Sequence, residues 1–317
     1  MSPSQITALG IDLGGSSIKW GLVCQDGSIF QDGSVELTSR AEDRVIDAIA
    51  GIVAEALAME GNDVVGIGIG SPGLMDSTRT IVRTAPNFSG WIDVPLANRV
   101  CEQVGIDLPV LLENDANVLV YSESRWGAAI GMKHFVVLTL GTGVGGGVMV
   151  DGKLLRGCNG GAGELGHIPI DINGPVCKTQ VKGNLESYCG IEGVMREAEN
   201  VYSPDSPPSN PDELTRAADA GDERAVEVWR RVGHYLGAGV AAYINIFNPQ
   251  AVLIGGGISG AGDHLLKPAR QTAQSRCFAP NWEDCTFDRA MLRDKAGLLG
   301  SAAMAFDKAE VETTSGL

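Results

Sequence analysis

One pattern occurs twice in this chain: a strand-forming apolar run, a turn of glycine and small hydroxyl residues, and a second apolar run that ends in an Asp-Gly pair. Residues 6–12 read as a strand, Gly14-Gly15-Ser16-Ser17 as the turn, and residues 18–23 as the returning strand before Asp26-Gly27. Residues 135–140, the turn Gly141-Thr142-Gly143-Val144-Gly145-Gly146-Gly147, residues 148–150 and Asp151-Gly152 repeat the design. Asp12-Leu13-Gly14 aligns with Thr139-Leu140-Gly141, and the two Asp-Gly pairs fall at nearly the same offset. The repeat implies a duplicated α/β unit with one glycine turn in each half. Such turns let backbone N–H groups approach phosphate oxygens, because no Cβ stands in the way.

Composition narrows the ligands. With 317 residues, 44% of them hydrophobic, the chain can bury a substantial core and favours two domains over one. A net charge of -15 argues against nucleic acid and against a polybasic membrane contact. An anionic substrate would therefore need a local cation, with Mg²⁺ the natural choice. The opening Met1-Ser2-Pro3-Ser4-Gln5 has no basic run, and no apolar stretch approaches the roughly 20 residues of a membrane span, so the expectation is a soluble cytoplasmic protein. Cys24, Cys101, Cys158, Cys177, Cys189, Cys277 and Cys285 are an odd, scattered set that suits reduced thiols.

Between the two repeats, residues 42–59 read as a helix and residues 64–70 as a strand broken by Ser71-Pro72-Gly73. Ala225, Trp229, Val232, Leu236, Val240, Tyr243 and Phe247 fall on one face of a long helix that Asn248-Pro249 ends. Residues 251–254 form a strand running into Gly255-Gly256-Gly257, a third place for close backbone approach. Residues 203–210 read as a surface loop, and the last ten or so as a polar frayed tail.

Leu112-Glu113-Asn114-Asp115-Ala116-Asn117 supplies a carboxylate between the glycine turns. Asp115 suits a general base that takes a proton from a hydroxyl accepting a phosphoryl group. It equally suits an N-cap for a helix over residues 116–126. Gly141, Gly143 and Gly146 satisfy the dinucleotide spacing, but the sequence continues as a strand where that fingerprint must open a helix. No Gly-Lys-Ser/Thr follows either turn, which excludes a Walker-type loop. Tight turns alone would also use glycine. Three runs, two with the same flanking strands, favour a nucleotide. Glu164 and His167 could be a surface acid and a core histidine, and Glu186 a solvated helix charge.

Taken together, Asp12-x-Gly14-Gly15-Ser16, the 112–117 segment, the 141–147 turn, Gly163-Glu164-Leu165-Gly166-His167 and Ile254-Gly255-Gly256-Gly257 resemble the ROK (repressor, open reading frame, kinase) family. The resemblance is strongest to its bacterial ATP-dependent glucokinases and extends to Pro86-Asn87-Phe88-Ser89-Gly90-Trp91 and Val94-Pro95-Leu96. It implies the hexokinase/actin-like (ribonuclease H-like) duplicated α/β fold. The expected split is residues 1–113 with 296–317 as the smaller domain and 114–295 as the larger, with a cleft for sugar. It makes Asp115 the base for a hexose 6-hydroxyl, most readily that of glucose. Gly73, Asn87, Asn114, Glu164, His167 and Glu186 would bind the sugar. Gly14, Gly15, Ser16, Ser17, Lys19, Gly141, Thr142, Gly143 and Gly145 would hold ATP phosphates, with Gly256 and Gly257 near the nucleoside and Asp12 near Mg²⁺.

The sequence departs from the family in one place. The family's zinc motif, G-H-x9-C-x-C-x4-C, finds His167 and Cys177 here, but Thr179 and Asn184 at the other two positions. Neutral Thr and Asn are poor zinc ligands, and Cys189 nearby would give only a third. The expectation is no structural zinc and a loop held by other means. The alternatives carried forward are a kinase for an N-acetylhexosamine, mannose or fructose, and a polyphosphate-dependent enzyme. A sugar-sensing regulator and a non-catalytic sugar binder complete the set. For a regulator, the first strand starts about five residues from Met1, leaving little room for a helix-turn-helix. A homodimer or homotetramer is implied by the resemblance alone.

Overall fold

The structure is a computed structural model that describes residues 5–85, 88–177 and 180–315. The backbone divides into two compact units, Met1–Ile130 with Arg156–Ala162 and Asp294–Leu317, and Gly131–Leu155 with Gly163–Arg293.

The first unit opens with the antiparallel strands β1 (Gln5–Leu13), β2 (Ser17–Cys24) and β3 (Ile29–Glu36). Helix α1 (Glu42–Ala58) returns the chain to β4 (Asn62–Ser71), parallel to β1. The short strands β5 (Leu74–Met75), β6 (Val82–Thr84) and β7 (Ile92–Val94) form a small separate sheet, followed by α2 (Leu96–Val104), β8 (Val110–Asn114) and α3 (Asp115–Trp126). The main sheet has the order β3-β2-β1-β4-β8.

The second unit repeats that arrangement. Strands β9 (Phe135–Leu140), β10 (Val144–Val150) and β11 (Lys153–Leu154) are antiparallel. Helices α4 (Glu186–Cys189), α5 (Ile191–Tyr202), α6 (Pro211–Asp219) and α7 (Glu223–Phe247) lead to β12 (Ala251–Gly255), parallel to β9. Helices α8 (Asp263–Arg276) and α9 (Ala279–Glu283) precede β13 (Thr286–Arg289). The sheet order β11-β10-β9-β12-β13 matches the first position by position, so the duplication read from the glycine turns is a duplication of topology.

Each sheet packs a core dictated by the periodicity. In the second unit, Ala225, Trp229, Val232, Leu236, Val240 and Tyr243 of α7 are fully buried against the sheet, and Asn248 ends the helix in the left-handed conformation. In the first, α10 (Ala296–Ser315) lies on β1, β4 and α3 so closely that side chains are excluded at the contact. A Cβ on Gly10 would come 2.2 Å from the Leu298 carbonyl oxygen, one on Gly68 1.9 Å from that of Ser301, and one on Gly300 1.7 Å from that of Val118. Ser301 fills the seam: its Oγ accepts from Gly70 N–H at 3.0 Å and lies 2.9 Å from the Ile11 carbonyl oxygen. These contacts fix the ends of β1 and β4. Because α3 packs on α10, the first unit extends past Glu113 to Ile130.

Two local expectations change. Residues 144–147 belong to strand β10, not to the turn, because they pair with Leu140 to Val137 of β9; glycine is needed there because a Cβ on Gly146 would meet Leu165 Cδ1 at 2.7 Å. The C-terminal residues continue α10 to Ser315 instead of fraying, and Arg125 holds that extension through Asp307 at 2.9 Å and Glu310 at 2.7 Å.

Candidate active site

In the first unit, the predicted residues gather at the carboxyl ends of β1 and β8 and in the turns beside them. The Gly14–Ser17 turn is closed by Gly14 N–H donating to the Ser17 carbonyl at 2.9 Å. Asp12 and Lys19 face each other across β1 and β2 one pair before this turn. Burial against the first turn of α10, where a Cβ on Gly297 would sit 2.7 Å from Asp12 Oδ2, pushes the Asp12 carboxyl above its ordinary range, with Lys19 pulling the other way. A half-buried carboxylate of this kind gains from a nearby cation.

Asp115 is exposed at the first position of α3; Asn114 is the N-cap, and Asp115 Oδ1 also accepts from Ala116 N–H at 2.9 Å. Asn114 Oδ1 accepts from Ala116 N–H at 2.9 Å and from Asn117 N–H at 3.4 Å, while its Nδ2 donates to the Gly73 carbonyl at 3.0 Å. Both polar atoms of Asn114 are thus engaged in building the junction. Gly73 (φ 101°) can adopt no other identity there, since a Cβ would come 1.9 Å from the Thr84 carbonyl oxygen. The preceding Glu113 is buried and accepts from Arg156 Nε at 3.0 Å, from Arg156 through a second guanidinium nitrogen at 2.9 Å, and from Asn117 Nδ2 at 3.1 Å. Arg79 Nε lies 3.7 Å from the same carboxylate, so the buried Glu113 charge is met by two partly exposed cations. The β8–α3 junction is therefore rigid, and the helix dipole favours negative charge where Asp115 stands. Asn87 lies outside the described residues.

In the second unit, the Gly141–Thr142–Gly143 turn is closed by Gly141 N–H on the Gly143 carbonyl at 2.9 Å. Gly145 lies inside β10, opposite Thr139. Glu164 and His167 flank a single 3-10 turn, with His167 Nδ1 3.3 Å from Glu164 Oε2. Gly166 seats that turn on β10, as a Cβ there would lie 1.9 Å from the Val144 carbonyl oxygen. Glu186, first residue of α4, is no freely solvated charge: its Oε2 accepts from Val144 N–H at 3.0 Å, directly beside the glycine turn. Gly256 (φ 80°) and Gly257 follow β12 and are exposed.

Room for a methyl group separates two kinds of glycine. At Gly141 and Gly257 an added Cβ meets nothing within 4 Å, and at Gly15 only Arg40 at 3.5 Å. The chain's own packing does not require glycine at these three positions. A ligand brought against the backbone would. Arg40, which no motif marked, donates from Nε to the Gly15 carbonyl at 2.8 Å and adds a cation beside the first turn.

The ROK family model matches residues 8–308, nearly the whole chain. The chain belongs to the ROK family. A glucokinase from Thermotoga maritima is 37% identical over 312 residues, covering 95% of this chain and 97% of that protein. The chain also superposes on a ROK hexokinase from Thermus thermophilus (TM-score 0.82, 33% identity, 96% of this chain and 99% of the other). A ROK glucokinase from Streptomyces griseus in complex with glucose and AMPPNP gives a TM-score of 0.78 at 34% identity, over 95% of this chain and 99% of that one. The hexokinase/actin-like duplicated fold implied by the resemblance is the fold of this ROK chain. Among the described residues, no helix is long and apolar enough to cross a membrane.

The ROK zinc motif does not fit the groups present here. Asn184 is fully buried and turns its Nδ2 toward Cys177 Sγ at 3.3 Å. An amide N–H offers a proton, not a lone pair, and aims it at the sulfur that would have to face a metal. Thr179 lies outside the described residues.

Proposed function

We propose that this ROK protein transfers the γ-phosphoryl group of ATP to the 6-hydroxyl of a hexose, glucose above all. The observation that carries the reading is an exposed carboxylate, Asp115, held at the first position of α3 beside the Asn114 cap and the buried Glu113 that Arg156 pairs. Asp115 takes the hydroxyl proton as the sugar oxygen bonds to the γ-phosphorus. The bond from that phosphorus to the β-bridging oxygen breaks, and ADP leaves with its electron pair. The glycine turns at Gly14–Ser17 and Gly141–Gly143 offer backbone N–H groups to the phosphates, and Lys19 and Arg40 offset their charge in a chain whose net charge is -15. Gly257, where an added Cβ would meet nothing, leaves space for the nucleoside next to Gly256. Magnesium bound to the nucleotide would neutralise charge on the phosphate oxygens, and the desolvated Asp12 carboxylate suits a water-mediated contact to it. Glu164, His167 and Glu186 present a carboxylate-imidazole-carboxylate set to hydroxyls that both donate and accept.

Glucokinase relatives at full length support glucose as acceptor and ATP as donor. An ADP-release assay across glucose, mannose, fructose and N-acetylhexosamines, with ATP or polyphosphate as donor, tests the assignment. Glucose with ATP should give the highest kcat/KM. Turnover with none of the sugars would overturn the kinase reading, and a preference for polyphosphate would overturn the donor.

A further inference from the structure

In the second unit the chain between His167 and Glu186 doubles back on itself. Leu185 N–H donates to the Ile168 carbonyl at 3.0 Å, Pro169 pairs antiparallel with Asn184, and Ile170 and Asp171 both donate to the Gly183 carbonyl at 2.9 and 3.0 Å. The base of this excursion thereby sets the spacing between His167 at its start and Glu186 at its end. Asn184 is the fully buried side chain at that base. Its amide is used at both ends: Nδ2 reaches Cys177 Sγ at 3.3 Å on the outer arm, while Oδ1 accepts from Ser187 N–H at 2.9 Å and from Ser187 Oγ. Ser187 is the residue after Glu186. The first turn of α4 is therefore locked to the arm, with the Glu186 carboxylate directed at Val144 N–H.

Three neighbouring contacts show that the lock belongs to a larger assembly. Arg196 donates to the Ser187 carbonyl, and Tyr188 donates to Asp171 Oδ2 at 2.7 Å while stacking on Tyr235 with ring centroids 3.9 Å apart. The Asp171 carboxyl is held below its ordinary range by that phenol. Asn184 ties the Cys177 end of the excursion to α4, while the Tyr188–Asp171 bond ties its other end.

We infer that Asn184 is the positioning residue for the sugar-facing Glu186: with one amide it ties the Cys177 arm to α4, giving a metal-free lock where related chains use zinc ligands. The inference rests on the hexose-kinase reading for its consequence in catalysis, but the lock itself is a property of the fold. A polar group left unbonded at a fully buried site is costly, so loss of the Nδ2 donor is expected to displace Glu186 and not merely soften the surface.

The experiment uses the full chain and three variants. Asn184→Asp keeps the shape and the acceptor for Ser187 but removes the donor to Cys177; Asn184→Ala removes both. The third, Thr179→Cys with Asn184→Cys, rebuilds the zinc ligand set with His167 and Cys177. Asn184→Asp should raise the glucose KM about tenfold while the ATP KM stays within about twofold, a split that general loss of packing would not give. The rebuilt variant should be similarly impaired when zinc-free, then recover its glucose KM on binding about one zinc per chain. The wild-type protein should keep its activity in a zinc-selective chelator. Alkylation of Cys177, followed by mass spectrometry, reads the lock without activity: Asn184→Asp should speed it about tenfold. Unchanged alkylation in both Asn184 variants overturns the lock even if no sugar is turned over. An unchanged glucose KM, equal rises in both KM values, or about one zinc per wild-type chain lost together with activity would each overturn the positioning role. If the alkylation result holds but every sugar is inert, the lock stands and the kinase reading fails.

Discussion

The two sheets share one strand order, yet the mouths of their hairpins are chemically unlike. One pair before the turn, β1 and β2 oppose Asp12 to Lys19; at the same register β9 and β10 oppose Thr139 to Gly145. The first unit also continues from its fifth strand, β8, directly into α3 with Asp115 at the helix start, whereas β13 leads to a 3-10 turn and α10. Duplication thus supplied two backbone cradles, and an opposed Asp–Lys pair was placed at the mouth of only one. On the proposed function, the first unit carries the base and the cations. The second carries glycine and the Glu164, His167 and Glu186 set.

That division can be broken by substitution. The largest effect is expected where glycine serves packing: Gly68→Val drives a side chain into the Ser301 backbone 1.9 Å from its Cβ, neither partner can yield, and soluble folded protein should be lost. Near-normal yield and Tm would show that α10 does not seat on β4 as described. Next comes Glu164→Gln. Exchanging a charge-assisted acceptor for a neutral amide should raise the glucose KM about tenfold with little change for ATP. Equal rises in both constants would remove the separation of roles between the units.

Smaller effects sharpen the picture. Gly141→Ala has open space and should leave Tm unchanged, yet raise the ATP KM several-fold, because only the nucleotide needs the missing Cβ. A fall in Tm with unchanged ATP KM would make the turn purely structural. The smallest concerns Asp12. Its carboxyl titrates above the ordinary 3.8, so its favourable contribution to stability is full below that pH and is lost as pH rises through the higher folded-state value. Asp12→Asn should therefore raise Tm at neutral pH, with the difference from wild type shrinking toward pH 3, while turnover falls. A variant less stable than wild type at neutral pH would contradict the desolvation argument.

Much of this was readable in the sequence because it is local. The strands around both turns, the α7 face from Ala225 to Tyr243 and the Asn248 helix stop all follow from periodicity and turn chemistry. Which of Asn114 and Asp115 capped α3 was not readable, since both side chains can cap; the Gly73 carbonyl decides it by engaging Asn114. Glycine at 145–147 signals a turn in sequence, and only the nearby Leu165 side chain and Val137 carbonyl reveal a crowded strand. Arg40 beside Gly15 and Arg156 on Glu113 bridge residues too distant in sequence for any motif to join. Asn184 could be read as a lost ligand, but its bonds to Cys177 and Ser187 exist only once the chain doubles back.

On the proposed function Asp115 is a base that stands beside the Asn114 cap, with its Oδ1 sharing the Ala116 N–H at 2.9 Å. Asn at position 115 keeps the size and the hydrogen-bonding capacity but cannot take a proton. Single-turnover phosphorylation of glucose by Asp115→Asn, with glucose binding measured on the same sample by calorimetry, tests this directly. The account predicts unchanged glucose affinity and a rate lowered ~10²–10⁴-fold. A variant that binds glucose normally and keeps more than about a tenth of the wild-type rate would contradict it.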